Sequence, residues 1–345
     1  MKPARQSNIE LLRIIATLFI IIVHCNGWFL EMGGGTNGWL GNDSATNIWR
    51  ITIQSITCIG VDLFVLISGY FSIRPKLKSI VNLFTILFFF YVGCYLIDCA
   101  IENQLFNYRS LAKNMFAFSR DNWFIQSYLF LILLSPLANC FFEKVSKKKA
   151  SIFSGLFMLS AFWFGDIRQS EYFYFNGGYS VTSLLLIYVV GRYLKFYGEE
   201  FLRKYSTTKI IILWSICTII IGLIRVSLPS YEEQLITYGS PIVILSASLF
   251  FILFTRINIQ SNIINWLGSS CLAVFILHTC EPVISWLIEI DNELFAGCTL
   301  FKWIMSMSGI IMIVFVCAII LDKIREFIFR PLIIWADNLT LSGNE

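Results

Sequence analysis

The sequence predicts an all-α protein, a polytopic membrane helical bundle of about ten transmembrane helices with both termini in the cytoplasm. Three observations carry that reading. Of 345 residues, 57% are hydrophobic and 14% charged, with a mean hydropathy of +0.72, whereas soluble chains usually carry about 25% charge. Apolar runs recur from end to end and leave no stretch long enough for a soluble domain of ordinary size. Lysine and arginine gather on alternate sides of those runs.

The ten segments lie at roughly 9–30, 48–71, 79–101, 123–142, 150–165, 180–198, 209–228, 240–256, 268–289 and 299–321. Clusters of Gly, Asn, Pro and charge separate them, as in Glu31–Asn47 and Ser227–Ser240. The fifth and eighth are short for a ~20-residue crossing. The first follows Met-Lys-Pro-Ala-Arg-Gln, is long for a signal segment and lacks a small-residue cleavage site, so it is expected to be a retained span.

With the N-terminus inside, the inner side takes Lys2, Arg5, Arg74, Lys76, Lys78, Lys144, Lys147, Lys148, Lys149, Arg192, Lys195, Arg203, Lys204, Lys209, Arg256, Lys323, Arg325 and Arg330. The outer side keeps Arg50, Arg109, Lys113, Arg120, Arg168 and Lys302, while Arg13 and Arg225 fall within the membrane. That asymmetry orients the chain in a cell (inner or plasma) membrane. The expectation is one membrane domain over 1–345, with no extracytoplasmic domain appended. The net charge of +4 adds little. Ten scattered cysteines without a CxxC pair read as small core residues. Only two histidines are present, so a multi-histidine metal site is excluded. No permanently bound cofactor and no nucleic-acid partner is expected, and protein partners stay unassigned. No internal repeat of the transporter kind stands out.

Two stretches carry the candidate chemistry. In the first, Arg13 and His24 are eleven residues apart in one apolar segment. At ~100° per residue they leave the same helix face, about 16 Å apart along the axis. An arginine inside a membrane helix costs on the order of 3 kcal/mol or more, so it needs a partner, and Glu10 is one turn away. The plainer alternative is a structural ion pair beside a hydrogen-bonded histidine. In the second, Gly60–Phe71, Asp62 lies deep in the second segment and requires a proton or a partner. Ser68 and Gly69 are small enough to let helices approach closely. Arg74 emerges at the inner surface with Lys76 and Lys78, which read equally as ordinary positive-inside charge. His278 lies about as far into the ninth segment as His24 into the first, so similar depths are expected. Trp39, Trp49, Trp123, Trp163 and the Tyr172–Tyr179 cluster line the outer side. Most fit an interfacial belt, and the 172–179 cluster also suits a sugar ring.

In this order the motifs resemble acyltransferase family 3, integral-membrane enzymes that acylate cell-surface carbohydrates. Arg13 and His24 match its Arg-(ten residues)-His signature. Gly60–Tyr70 resembles its Gly-Val-x-Leu-Phe-Phe-x-Leu-Ser-Gly-Phe/Tyr segment with Val65 replacing the second Phe, and Arg74 matches the basic residue that follows. Trp123-Phe-Ile-Gln-Ser-Tyr128 and Ser270–His278 resemble its fourth and late segments. The glutamate of the Trp-Ser-Leu-x-x-Glu segment found in many members has no counterpart, so its role is not transferred.

The resemblance implies transfer of an acyl group, most often acetyl, from cytoplasmic acyl-CoA as co-substrate to a hydroxyl of a surface polysaccharide or its lipid-linked precursor. His24 is then the general base or a transient acyl carrier, with Glu10 and Asp62 beside it in the chemistry. Arg13 meets phosphate, pantetheine carbonyl or the developing oxyanion. Arg74 and Ser68 join Arg13 on the donor side, and His278, Trp123 and Tyr128 serve the carbohydrate acceptor. The same polar track, with Arg225, also suits a transporter or flippase for a lipid-linked sugar or organic anion. A chain that has lost catalysis and acts as a sensor or scaffold is the third alternative.

Overall fold

The computed structural model describes residues 6–34, 38–102, 106–115 and 122–342, without the side chains of 114–115, 199–203 and 340–342. Lys2, Arg5 and Arg120 of the charge count lie outside the described residues, as does the side chain of Arg203. Every regular element among the described residues is helical. Helix α1 (Ser7–Val23) runs into a π turn (His24–Trp28) and a last α turn (Phe29–Met32). A two-residue turn links α2 (Ser44–Thr57) to α3 (Gly60–Phe71). Next come α4 (Leu77–Ile101), the short α5 (Tyr108–Met115), α6 (Trp123–Lys144) and α7 (Lys147–Ser160), which widens into a π turn at Ala161–Ile167. The order ends with α8 (Val181–Lys204), α9 (Thr207–Ser227), α10 (Pro241–Thr255), α11 (Asn262–Gly268), α12 (Cys271–Thr279), α13 (Val283–Gly297) and α14 (Leu300–Ser342).

Eight helical stretches among the described residues are long and apolar enough to cross a bilayer. The expected segments at 180–198 and 240–256 do form helices, but they fall outside that set. α8 carries Arg192, Lys195 and the charged run Glu199–Lys204, and α10 has 15 residues where a crossing takes ~20. The expected ninth segment, 268–289, needs correction, because its helix stops at Thr279 and a new one starts at Val283. Pro282 has no N–H to donate, and the backbone is already extended at Cys280 (φ −93°, ψ 142°), where α12 ends. The tenth, expected over 299–321, continues to Ser342. Its 43 residues reach about 65 Å, over twice the hydrocarbon thickness.

The helices pack as two units. The first takes Met1–Asn26, Thr36–Arg74 and Trp123–Asn265. There α1 lies against α3 and α10, with Ala16 and Ile20 beside Gly60, and Leu12, Leu63, Val243 and Ala247 of these helices are buried. The start of α1 is pinned where Asn8 donates to the Phe254 carbonyl (3.0 Å) and Ser7 accepts from the Ser261 amide (2.9 Å). The closest approach joins α3 to α8 at Gly69 and Gly191. A Cβ on Gly69 would stand 2.3 Å from the Tyr188 carbonyl, and one on Gly191 2.6 Å from that of Leu66. Such glycine crossings let membrane helices gain dispersion contact that larger residues forbid. Within α6, Pro136 leaves the Ile132 carbonyl without its usual amide, and the Ser135 hydroxyl donates to it instead (2.8 Å).

The second unit takes Gly27–Gly35, Pro75–Asn122 and Trp266–Glu345. There α14 packs on α4, α12 and α13. Its buried ion pair, Arg325 with Asp322 at 2.7 Å, is extended by Asn82 (2.8 Å) and Thr85 (3.0 Å) of α4. Arg325 therefore is not the loop charge expected from sequence. Trp303 donates to Asp291 (2.8 Å), and Asn292 to the Phe29 carbonyl (2.8 Å).

Candidate functional site

On α1, Arg13 donates to Glu10 at 2.8 Å, as their spacing predicts. Glu10 is buried and its second oxygen, Oε2, has no hydrogen-bond partner among the described residues. The Arg13 side chain remains about a third exposed (34%), so the guanidinium is held at one end and accessible at the other. Thr17 caps the Arg13 carbonyl one turn on (2.9 Å). The α ladder is continuous up to His24, whose amide reaches the carbonyls of Ile20 and Ile21. The one-face argument thus holds over residues 13 to 24, and the axial separation keeps the two side chains from touching.

His24 is half-buried and opens the π turn, a feature the apolar pattern does not announce. π turns recur at functional sites because they re-aim side chains and release carbonyls. Here the Asn26 carbonyl accepts from Arg50 Nη2 (3.1 Å), while the Asn26 side chain donates to the Arg50 carbonyl (2.9 Å) and to Gln54 (2.8 Å).

Arg50 was expected as an outer loop charge, and that is corrected: it is fully buried within α2, bound also to the Gly38 carbonyl (2.8 Å). The available signal was Asp43, whose carboxylate caps the amides of Ala45 and Thr46 and starts α2 at Ser44, four residues earlier than the apolar run. The Arg50 and Arg225 guanidiniums lie over the Trp39 ring, 4.9 and 5.1 Å from its centroid. Glu232 ties the group together, accepting from Trp39 Nε1 (2.7 Å) and from Arg225. Sequence reasoning put Trp39 in the belt and passed over Glu232.

Asp62 is fully buried on α3, and neither carboxyl oxygen has a hydrogen-bond partner among the described residues. It shares an electrostatic neighbourhood with Cys58, Arg225 and Tyr238. Enclosure raises the Tyr238 phenol well above its ordinary value, with Tyr179 and Asp62 beside it acting in the same direction. Tyr238 stacks on Trp123 (5.6 Å) and meets Tyr179 edge-on (5.3 Å), and Trp123 meets Tyr179 at 4.8 Å. Of the 172–179 cluster, Tyr179 joins this aromatic trio, whereas Tyr172 and Tyr174 stand in the open. Gly178, at φ +92°, permits the approach, since a Cβ there would stand 2.6 Å from the Tyr238 amide.

Ser68 shares a hydrogen bond with Tyr128 (3.0 Å), joining an expected donor-side residue to an expected acceptor-side one. Arg74 is largely exposed and 3.6 Å from Glu143. His278, in the second unit, is fully buried at the end of α12, with Nδ1 3.1 Å from the Val274 carbonyl. A carbonyl only accepts, so Nδ1 carries the proton, and in the neutral ring Nε2 keeps its lone pair.

The family model of the acyltransferase domain of acyltransferase family 3 matches residues 6–322. No curated protein and no solved structure matches the chain.

Proposed function

Since the chain belongs to acyltransferase family 3 and is thereby a multi-pass membrane acyltransferase, we propose that it moves acetyl from cytoplasmic acetyl-CoA to a carbohydrate hydroxyl. The acceptor is a surface polysaccharide or its lipid-linked precursor. The observation that carries this reading is the match over 6–322 together with the unbroken α1 ladder that holds Glu10, Arg13 and His24 in one track.

A hydroxyl attacks a thioester only when a base takes its proton, and a neutral imidazole does so near pH 7. In direct transfer His24 accepts that proton, the C–O ester bond forms, the C–S bond breaks, and the proton passes to the departing CoA thiolate. In the acyl-carrier variant the imidazole nitrogen forms a C–N bond as the C–S bond breaks, and CoA leaves as the thiol with the ring proton. The sugar hydroxyl then forms the C–O bond, the C–N bond breaks, and the hydroxyl proton returns to the ring. Arg13 has exposed donors left after pairing with Glu10, which suits a pantetheine carbonyl or a phosphate of the donor, away from the carbon attacked at His24. The Asp62 carboxyl, without a hydrogen-bond partner among the described residues, is left to bond a substrate hydroxyl. Trp123, Tyr179 and Tyr238 supply faces for a sugar ring.

The test is incorporation of label from radiolabelled acetyl-CoA into cell-surface carbohydrate, wild type against His24→Ala at matched expression. Loss of at least a hundredfold with His24→Ala is expected, in line with general-base removal. Label that survives the substitution removes His24 from the chemistry. No label in either protein removes acetyl-CoA as donor and favours the transporter reading.

A further inference from the structure

Arg192 poses a question that the proposed reaction leaves open. It lies on α8, is 4% exposed, and among the described residues no carboxylate lies within ion-pair distance of it. Its hydrogen bond is a long one, Nη1 to the Gly69 carbonyl at 3.4 Å, and Nε has no hydrogen-bond partner among the described residues. The ring of Phe196, 4.9 Å from its Cζ, supplies the remaining contact. A buried guanidinium without an anion is costly, and folds keep such groups where an anion arrives from outside.

The surroundings say where that anion would sit. One turn before Arg192, the Tyr188 hydroxyl accepts from the Ile73 amide (3.0 Å) and donates to Asn139 (2.8 Å). Asn139 donates in turn to the Ile73 carbonyl (2.9 Å). Both backbone groups of Ile73 are thus clamped, which holds Ser72 at φ +68°, a conformation a serine rarely adopts unaided. The clamp fixes the residue next to Arg74, and Arg74 and Glu143 both lie within electrostatic reach of Arg192. Arg74 is held only by the 3.6 Å contact to Glu143, with side chains 75% and 49% exposed, a pairing worth little in water. Lys195, one turn beyond Arg192, rests over Tyr70 at 4.9 Å and adds a third positive charge.

We propose that Arg192 and Arg74, fixed by the Tyr188–Asn139 clamp, form a phosphate-binding site at the end of the first unit. Its ligand is the phosphate of the acyl donor. This rests on the acyl-CoA reading and extends it to a residue that no motif assigns. Two planar forks offer bidentate donors to phosphate oxygens, and the buried one gains the counter-charge it lacks.

The experiment measures binding of CoA and of pantetheine, which lacks phosphate, to the purified full-length protein in nanodiscs. Arg192→Gln, Arg74→Gln and Arg192→Met are compared with wild type, the last because an apolar side chain of similar length tolerates burial if Arg192→Gln fails to fold. The expected result is a tenfold or greater loss of CoA affinity in each variant with pantetheine unchanged. CoA affinity unchanged in a folded Arg192 variant overturns the site. If wild type binds no CoA, the acyl-CoA reading fails by itself. The site is then judged by retention of phosphatidylglycerol on purification: loss in Arg192→Met keeps a phosphate site with a lipid source, and equal retention overturns it.

Discussion

At the residue scale, charges that look like loop charges in the sequence turn out to organise the interior. Arg50 satisfies the carbonyls of Asn26 and Gly38 from inside α2. Arg50→Met removes both bonds and leaves the Asn26 carbonyl, in a buried residue, short of its donor, at about 1–3 kcal/mol for an unsatisfied group. A clear fall in the thermal midpoint of the detergent-solubilised protein is expected. Arg50→Lys should not restore it, because a point charge cannot reach two separated carbonyls. A midpoint equal to wild type in Arg50→Met sinks this assignment. The candidate chemistry was legible at this scale wherever the spacing is local: Glu10 with Arg13, and Arg13 with His24, follow from helix geometry alone. The Trp39–Arg50–Arg225–Glu232 group was not, since its members come from separate elements and their polar partners include backbone carbonyls that no side-chain pattern records.

At the element scale, the α3–α8 crossing depends on two absent side chains. Gly191→Ala places a methyl carbon 2.6 Å from the Leu66 carbonyl. It should destabilise by about 1–3 kcal/mol, the range for overpacking, whereas Gly93→Ala faces open space and serves as the neutral control. Equal unfolding midpoints for the two variants count against the tight crossing. The start of α2 has its own signature. Hydrogen bonds from the Thr46 hydroxyl and amide hold the Asp43 carboxyl below its ordinary value. A lowered folded value means stability that is present above the unfolded pKa near 3.8 and lost as pH falls through the folded one. The midpoint gap between wild type and Asp43→Ala should therefore be full at pH 7 and shrink below about pH 4. A pH-independent gap assigns the effect to something other than the ionised cap.

At the scale of the whole molecule, charge placement predicts which ends face the cytoplasm. After alkylation of the native cysteines in permeabilised cells is used to define background, Tyr172→Cys should react with an impermeant maleimide in intact cells, and Lys148→Cys only once the membrane is opened. The reverse pattern inverts the orientation. Composition, hydropathy and the order of short motifs were enough to establish an all-helical membrane protein and its family, because burial in lipid constrains every residue of a span and motif spacing is local. The break at Pro282 was readable too, had the proline outweighed the apolar run. Only the tertiary structure decided that Arg50, Arg192 and Arg325 are buried, that Trp123 meets Tyr179 and Tyr238, and that Asp62 has no hydrogen bond among the described residues. A charge is classed as loop or interior by what surrounds it in three dimensions, and that depends on helices brought together from distant parts of the chain.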